Sequence, residues 1–142
     1  MTKKAAAFER SGKVFLHPYS RTVQEFWVFS SPVTVTNWSD EELGNALLAT
    51  LDQSRAGVPH PSSWEGLTAP LLRAAAVKSF GTFVTGASAV EVLSENEVIK
   101  LVPTRNGGKG NAFQHLTAKA IRSGSEPQEL KRMLRRAFDL CE

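Results

Sequence analysis

One helical pattern occurs twice along the chain. Leu43, Ala46, Leu47, Thr50 and Leu51 fall at offsets 0, 3, 4, 7 and 8, and so do Leu130, Met133, Leu134, Ala137 and Phe138. A helix turns once every ~3.6 residues, so each set lines one face and predicts an amphipathic helix lying on a core. Ser39-Asp40-Glu41-Glu42 precedes the first set and Ser125-Glu126-Pro127-Gln128 the second. Both have the form of a capping box, in which the serine hydroxyl takes an orphan amide of the first turn. Acidic residues there also suit the positive end of the helix dipole. Gly57, Pro59 and Pro61 end the first helix, and the second runs to about Leu140.

Elsewhere the pattern is that of strands. Lys13 to Val35 is rich in β-branched and aromatic residues (Val14, Phe15, Phe26, Trp27, Val28, Phe29, Val33, Val35) and is interrupted at Pro18-Tyr19-Ser20 and Ser30-Ser31-Pro32. It predicts two or three antiparallel strands. Val90–Leu93 and Val98–Val102 read as a hairpin turning at Glu95-Asn96, with Pro103 closing it. Leu116–Ile121 adds a further strand. Leu67–Lys78 predicts a short helix with Pro70 in its first turn. Thr104 to Asn111 reads as a flexible basic loop, and residues 1–12 as a flexible arm. The expected architecture is a single α+β domain over residues 1–142: an antiparallel sheet of about five to six strands, two longer helices packed on it and one short helix. The order of strands, serine-led cap and helix occurs twice, which is read either as a weak internal repeat or as two ordinary amphipathic helices.

Composition narrows the class. The chain has 142 residues, 42% of them hydrophobic and 22% charged, the balance of a globular domain rather than a disordered one. A chain of this size buries roughly 68% of the surface its unfolded form exposes. The single cysteine, Cys141, excludes an internal disulfide framework and a metal site of several thiolates. No apolar run approaches the roughly 18 residues of a membrane helix, and the start, Met1 to Glu9, lacks the apolar region of a signal peptide. The expected location is therefore the cytoplasm. The net charge of +3 conceals an uneven distribution, with basic ends and an acidic middle. Residues 37–66 hold Asp40, Glu41, Glu42, Asp52 and Glu65 against Arg55 alone.

Catalytic chemistry is hard to assemble from this chain. His17, His60 and His115 are scattered, and none stands in a His-Glu-x-x-His metal motif or beside a Gly-x-Ser-x-Gly elbow. His60, bracketed by Pro59 and Pro61, has the setting of a loop-anchoring group. No catalytic, metal or cofactor residues are assigned, and a hydrolase would require His60 or His115 in a pocket with a nucleophile. Gly107-Gly108-Lys109-Gly110 departs from the phosphate-binding Walker pattern, because Gly110 stands where Ser or Thr would follow the lysine. Arg105 and Lys109 keep open a contact with RNA. Lys131, Arg132, Arg135 and Arg136 lie opposite the apolar stripe of the last helix, either as a solvated face or as a nucleic-acid reader. Trp27 is expected to fill core and Trp38 to staple the start of the first helix. Trp64, in a loop beside Glu65, is either tucked under that loop or an anchor for a partner.

One block of sequence has a specific likeness. Ser54-Arg55-Ala56-Gly57-Val58-Pro59-His60-Pro61, Trp64-Glu65-Gly66-Leu67, Pro70-Leu71-Leu72, Val77-Lys78-Ser79-Phe80 through Gly86-Ala87, and Pro103-Thr104-Arg105-Asn106 with the glycines and Phe113 after it resemble a family of immunity proteins. Those proteins belong to contact-dependent growth inhibition systems. With the helix start Ser39 to Gly44, the resemblance covers about two-thirds of the chain; Ala76 departs from it where glycine is expected. It implies a cytoplasmic protein without enzymatic activity, which binds the C-terminal toxin domain of an exported adhesin-like effector. The implied toxin is a nuclease, with tRNA as one candidate substrate, and neither a membrane nor direct nucleic-acid contact is implied. Nuclease sites are basic because they hold phosphates, so the acidic segment is the complementary surface. On this reasoning Asp40, Glu41, Asp52 and Glu65 form the expected contact, with Trp64 or Arg55 as anchor. The plainer role of Asp40, Glu41 and Glu42 is to cap a helix. The rival expectation is a small RNA-binding module that uses the basic C-terminal half.

Overall fold

The segment expected to be a loose arm is the middle strand of the sheet. The computed structural model describes residues 1–108 and 113–142. In chain order the elements are β1 (Lys3–Arg10), β2 (Lys13–Thr22), β3 (Trp27–Phe29), β4 (Thr34–Thr36), α1 (Leu43–Asp52), β5 (Ala56–Val58), α2 (Ala69–Ala75), α3 (Phe80–Val84), β6 (Ser88–Glu95), β7 (Val98–Asn106), β8 (Phe113–His115), a single 3-10 turn (Thr117–Lys119), β9 (Ile121–Ser123) and α4 (Pro127–Asp139). The strands run in the order β3-β2-β1-β6-β7-β8, with β4 and β5 also on β2 and β9 also on β7. All pairings are antiparallel except that of β5 with β2. The six-strand path is close to the expected count; the short β4, β5 and β9 extend it.

β1 escaped notice because Ala5, Ala6 and Ala7 carry none of the branched or aromatic side chains that mark strands. They are nevertheless no more than 5% exposed, because the sheet is covered on both faces at its centre. On one face Leu43, Leu47 and Leu51 of α1 and Leu130, Leu134 and Phe138 of α4 pack on Val14, Leu16, Val90, Val92 and Leu101. The two predicted stripes thus meet one core, and α1 and α4 lie side by side on it. On the other face Leu71 of α2 and Phe83 of α3 cover Phe8 and Phe15. α3 has no expected counterpart: five residues are too few for a periodic stripe. Ser79 caps it by accepting the Thr82 amide at 3.1 Å.

Both expected serine caps are corrected. Ser39 turns to Asn37, whose side-chain oxygen accepts its amide at 3.0 Å and its hydroxyl at 2.5 Å, and α1 begins only at Leu43. Asp40 accepts the Glu42 amide at 2.9 Å instead. At α4 the cap is Glu126, one residue after Ser125, and it takes the amides of Gln128 and Glu129. Proline at the next position fixes the first helical φ there. The β6–β7 turn is Asn96-Glu97, both with positive φ (51° and 65°), as a two-residue hairpin turn demands. Thr104, Arg105 and Asn106 belong to β7 rather than a loop, and Leu116–Ile121 is mostly the 3-10 turn leading into β9. Lys109, Gly110 and Asn111 of the expected basic loop lie outside the described residues.

Candidate functional site

Alternate residues of a strand share a face, and the face opposite α1 and α4 forms a cleft of about 280 Å³ beyond the cover of α2 and α3. Register brings its polar groups together. Lys4 stands opposite Tyr19 on β2, Ala6 opposite Glu91 on β6, and Thr104 of β7 opposite His115 of β8. The Glu91 carboxylate receives Lys4 Nζ at 2.7 Å and His115 Nε2 at 2.8 Å. The Lys4 ammonium also lies over the rings of Tyr19 (4.8 Å) and Trp27 (5.6 Å). Trp27, expected in the core, is a half-buried wall of this cleft. Burial, with the Glu91 charge adding to it, pushes the Tyr19 phenol up to about 12.

His17 lies behind this wall, 1% exposed and stacked among Phe8, Tyr19 and Phe29. Its Nδ1 donates to the Pro18 carbonyl at 2.8 Å, and burial lowers its pKa to about 4, so it is neutral. His60 accepts or donates a bond of 3.1 Å between Nδ1 and the Thr22 hydroxyl, the anchoring role its prolines suggested. Only His115 enters the cleft. The hydroxyls beside it are Tyr19, held protonated, and Thr104, whose Oγ1 donates to the Ala89 carbonyl at 2.6 Å. Neither is an activated nucleophile. Among the described residues, no three His, Cys, Asp or Glu side chains stand close enough to share a metal.

The residues expected to contact a toxin fall in three places. Asp40 and Glu41 precede α1. The Thr36 hydroxyl, donating at 2.6 Å, and the Glu42 amide hold the Asp40 carboxyl below its ordinary pKa, while the Glu41 carbonyl accepts Gln128 Nε2. Asp52 closes the other end of α1, which over ten residues spans roughly 15 Å. It pairs with Lys3 at 3.2 Å, and its carbonyl accepts Arg55 Nη1 at 2.6 Å. From there the chain runs along the end of β2, where Ala56 pairs with Arg21 and Val58 with Thr22, to Trp64 and Glu65. Trp64 is not tucked. It is 52% exposed, and its ring meets His60 at 5.6 Å and Phe26, itself 55% exposed, at 6.5 Å. Phe26, not expected at any surface, extends this apolar patch, and Val23, three residues before it, is 64% exposed.

Trp38 joins elements rather than stapling α1 alone. Its indole N–H donates to Glu9 of β1, and its ring makes a T-shaped contact with Phe138 at 5.6 Å between centroids. Arg105, a candidate RNA contact, is tied to Glu142 at 2.5 Å, and Lys119 reaches the same carboxylate at 2.5 Å. The two cations hold the Glu142 carboxyl down at about 2. No described helix is long and apolar enough to cross a membrane.

Comparison with known proteins places the architecture. No protein-family model and no curated protein matches the sequence. Among solved structures, the chain superposes over its whole length on a protein of unknown function, NMB0488 from Neisseria meningitidis, with a TM-score of 0.82 at 17% identity, covering 96% of that chain. It superposes equally on a chain of the CdiA-CT/CdiI toxin and immunity complex from Yersinia pseudotuberculosis, with a TM-score of 0.81 at 13% identity and 98% of that chain covered. What is shared is the fold. The cleft escaped sequence reasoning because its members come from six strands and from α3. The available signal was the alternation of Lys4, Ala6 and Phe8 with a charge at one end, which places a lysine on an otherwise buried face.

Proposed function

We propose that this protein is an immunity protein of the contact-dependent growth inhibition type. It binds the C-terminal toxin domain of an exported adhesin-like effector in the bacterial cytoplasm and neutralises it by occupying its surface, with no turnover of its own. The toxin is a nuclease, with tRNA as its candidate substrate. One observation carries the reading: the complete chain shares its fold with one chain of a toxin and immunity complex. The block from Ser54 to Phe113 supports it through its likeness to immunity proteins. The run from Asp52 to Glu65 is the proposed contact, with Trp64 or Arg55 as anchor and Asp52 and Glu65 as the acidic rim. Asp40 and Glu41 join this contact only if the toxin spans the length of α1.

The test is co-expression with the C-terminal domain encoded by an adjacent adhesin-like reading frame. Growth rescue and co-purification are expected, and charge reversal by Asp52→Lys and Glu65→Lys should accelerate dissociation. A toxin that is neither bound nor neutralised overturns the reading. An unchanged dissociation rate in the double variant removes this surface from it.

A further inference from the structure

Gln128, Lys131, Arg132 and Arg135 fall at offsets 0, 3, 4 and 7 on α4, so they share one helical face. Together with Trp38 they line a groove of about 370 Å³ on the outer side of that helix, away from the core. Three of the four polar side chains are held in place. Gln128 Nε2 donates to the Glu41 carbonyl at 2.9 Å and Lys131 Nζ to the Asp40 carbonyl at 3.0 Å. The Arg135 guanidinium rests 4.7 Å from the centre of the Trp38 ring. Among the described residues no carboxylate forms an ion pair with Lys131, Arg132 or Arg135, although the Asp40 charge partly offsets Lys131. Asp139, one turn beyond Arg135, pairs with neither Arg135 nor Arg136.

We propose that this groove is a docking site for the phosphate backbone of single-stranded RNA, contacted by Lys131, Arg132 and Arg135. Two features favour a nucleic-acid backbone over an acidic protein. The groove offers held cations and donors, and its one aromatic ring, Trp38, is already engaged by the Arg135 guanidinium and by Phe138 rather than standing free as an anchor. Protein interfaces rely on such anchors, whereas a phosphate backbone requires charge and donors alone. With the Arg135 guanidinium over the indole, the contact is drawn to phosphates rather than to bases and is tolerant of sequence. Lys131 and Arg132 each stand one helical turn from Arg135, roughly 5–6 Å between Cβ atoms, so one face presents a compact row of cations to a charged backbone. The inference goes beyond the toxin reading and does not rest on it. A basic stripe repels a basic nuclease site, so the two contacts use different surfaces.

The probe is a short fluorescein-labelled oligouridylate, followed by anisotropy with the full chain over a series of salt concentrations. Three phosphate contacts predict a log–log salt slope of about −2, at roughly 0.7 per contact on a single strand. The double variant Arg132→Gln/Arg135→Gln should keep its circular dichroism and bring the slope to about −0.7, with affinity at low salt at least tenfold weaker. Arg122→Gln, on β9, should leave both unchanged. Oligouridylate binding that the double variant does not alter, or no binding at low salt, overturns the proposal. So does preferential capture of polyglutamate, which would make the partner an acidic protein.

Discussion

Gly44 of α1 lies against the backbone of Pro127 so closely that a Cβ at position 44 would stand 1.9 Å from the Pro127 carbonyl oxygen. The first turns of the two core helices therefore touch through main chain, with no side chain between them. Because the opposing atom belongs to backbone, a larger residue must move a helix rather than a rotamer. Gly44→Ala is expected to destabilise the fold by about 2–3 kcal/mol despite alanine's better helix propensity. A urea denaturation midpoint unchanged from the parent would contradict this packing.

The buried His17 makes stability depend on pH. The unfolded chain takes up a proton near 6.5, while the folded chain resists protonation down to about 4. This contribution is fully present above pH 6.5 and is lost as the pH falls through that window, on the order of 3 kcal/mol by its end. His17→Phe keeps the ring among Phe8, Tyr19 and Phe29, and the Pro18 carbonyl retains the Ser30 amide at 3.0 Å. The variant should flatten the decline between pH 6.5 and 4 in denaturation curves.

Tyr19 is the chain's single tyrosine, so its phenolate absorbance reports one group. Titration should give a midpoint near 12. Glu91→Gln removes the smaller of the two causes, so the midpoint should fall yet stay above the ordinary value of 10. The same variant strips the Lys4 ammonium of its partner in a cleft where its side chain is only 16% exposed. A loss of about 1–3 kcal/mol in stability should accompany the spectral shift. A midpoint that does not move would separate Glu91 from Tyr19.

Trp64→Ala should weaken toxin binding by about 2 kcal/mol or more, read as a faster dissociation rate. Its melting temperature should stay within a degree or two of the parent, since about half of the residue is in solvent and one of its two aromatic neighbours, Phe26, is itself exposed. A large fall in melting temperature with unchanged binding would make Trp64 a structural residue.

What could be read in advance followed the range of the signal. The stripes of α1 and α4 are local, and each landed on the core as its spacing required. Caps depend on which carboxylate reaches an amide first, and Asp40 and Glu126 displaced the serines beside them. β1 carries a triple alanine that says nothing about sheets until β2 and β6 close around it. The cleft was the least legible part: the meeting of Glu91 with Lys4 and His115 is set by register among β1, β6, β7 and β8, and no window of sequence contains it. The placement of Trp64 was left open by the sequence, which allowed it either under its loop or at the surface, because a loop has no periodicity to say which way a ring faces.

The central position of β1 also governs how the molecule is made. During translation β1 and β2 leave the ribosome together, and their hairpin can close at once through Ser11-Gly12, both with positive φ. The opposite rim of β1 must wait for Ser88–Glu95, which emerges only after residues 11–87 have been synthesised. Until then its amides and carbonyls face outward along a run of alanines, a template onto which another nascent copy could pair. A product truncated before β6 keeps that rim permanently, and inclusion bodies are its expected fate.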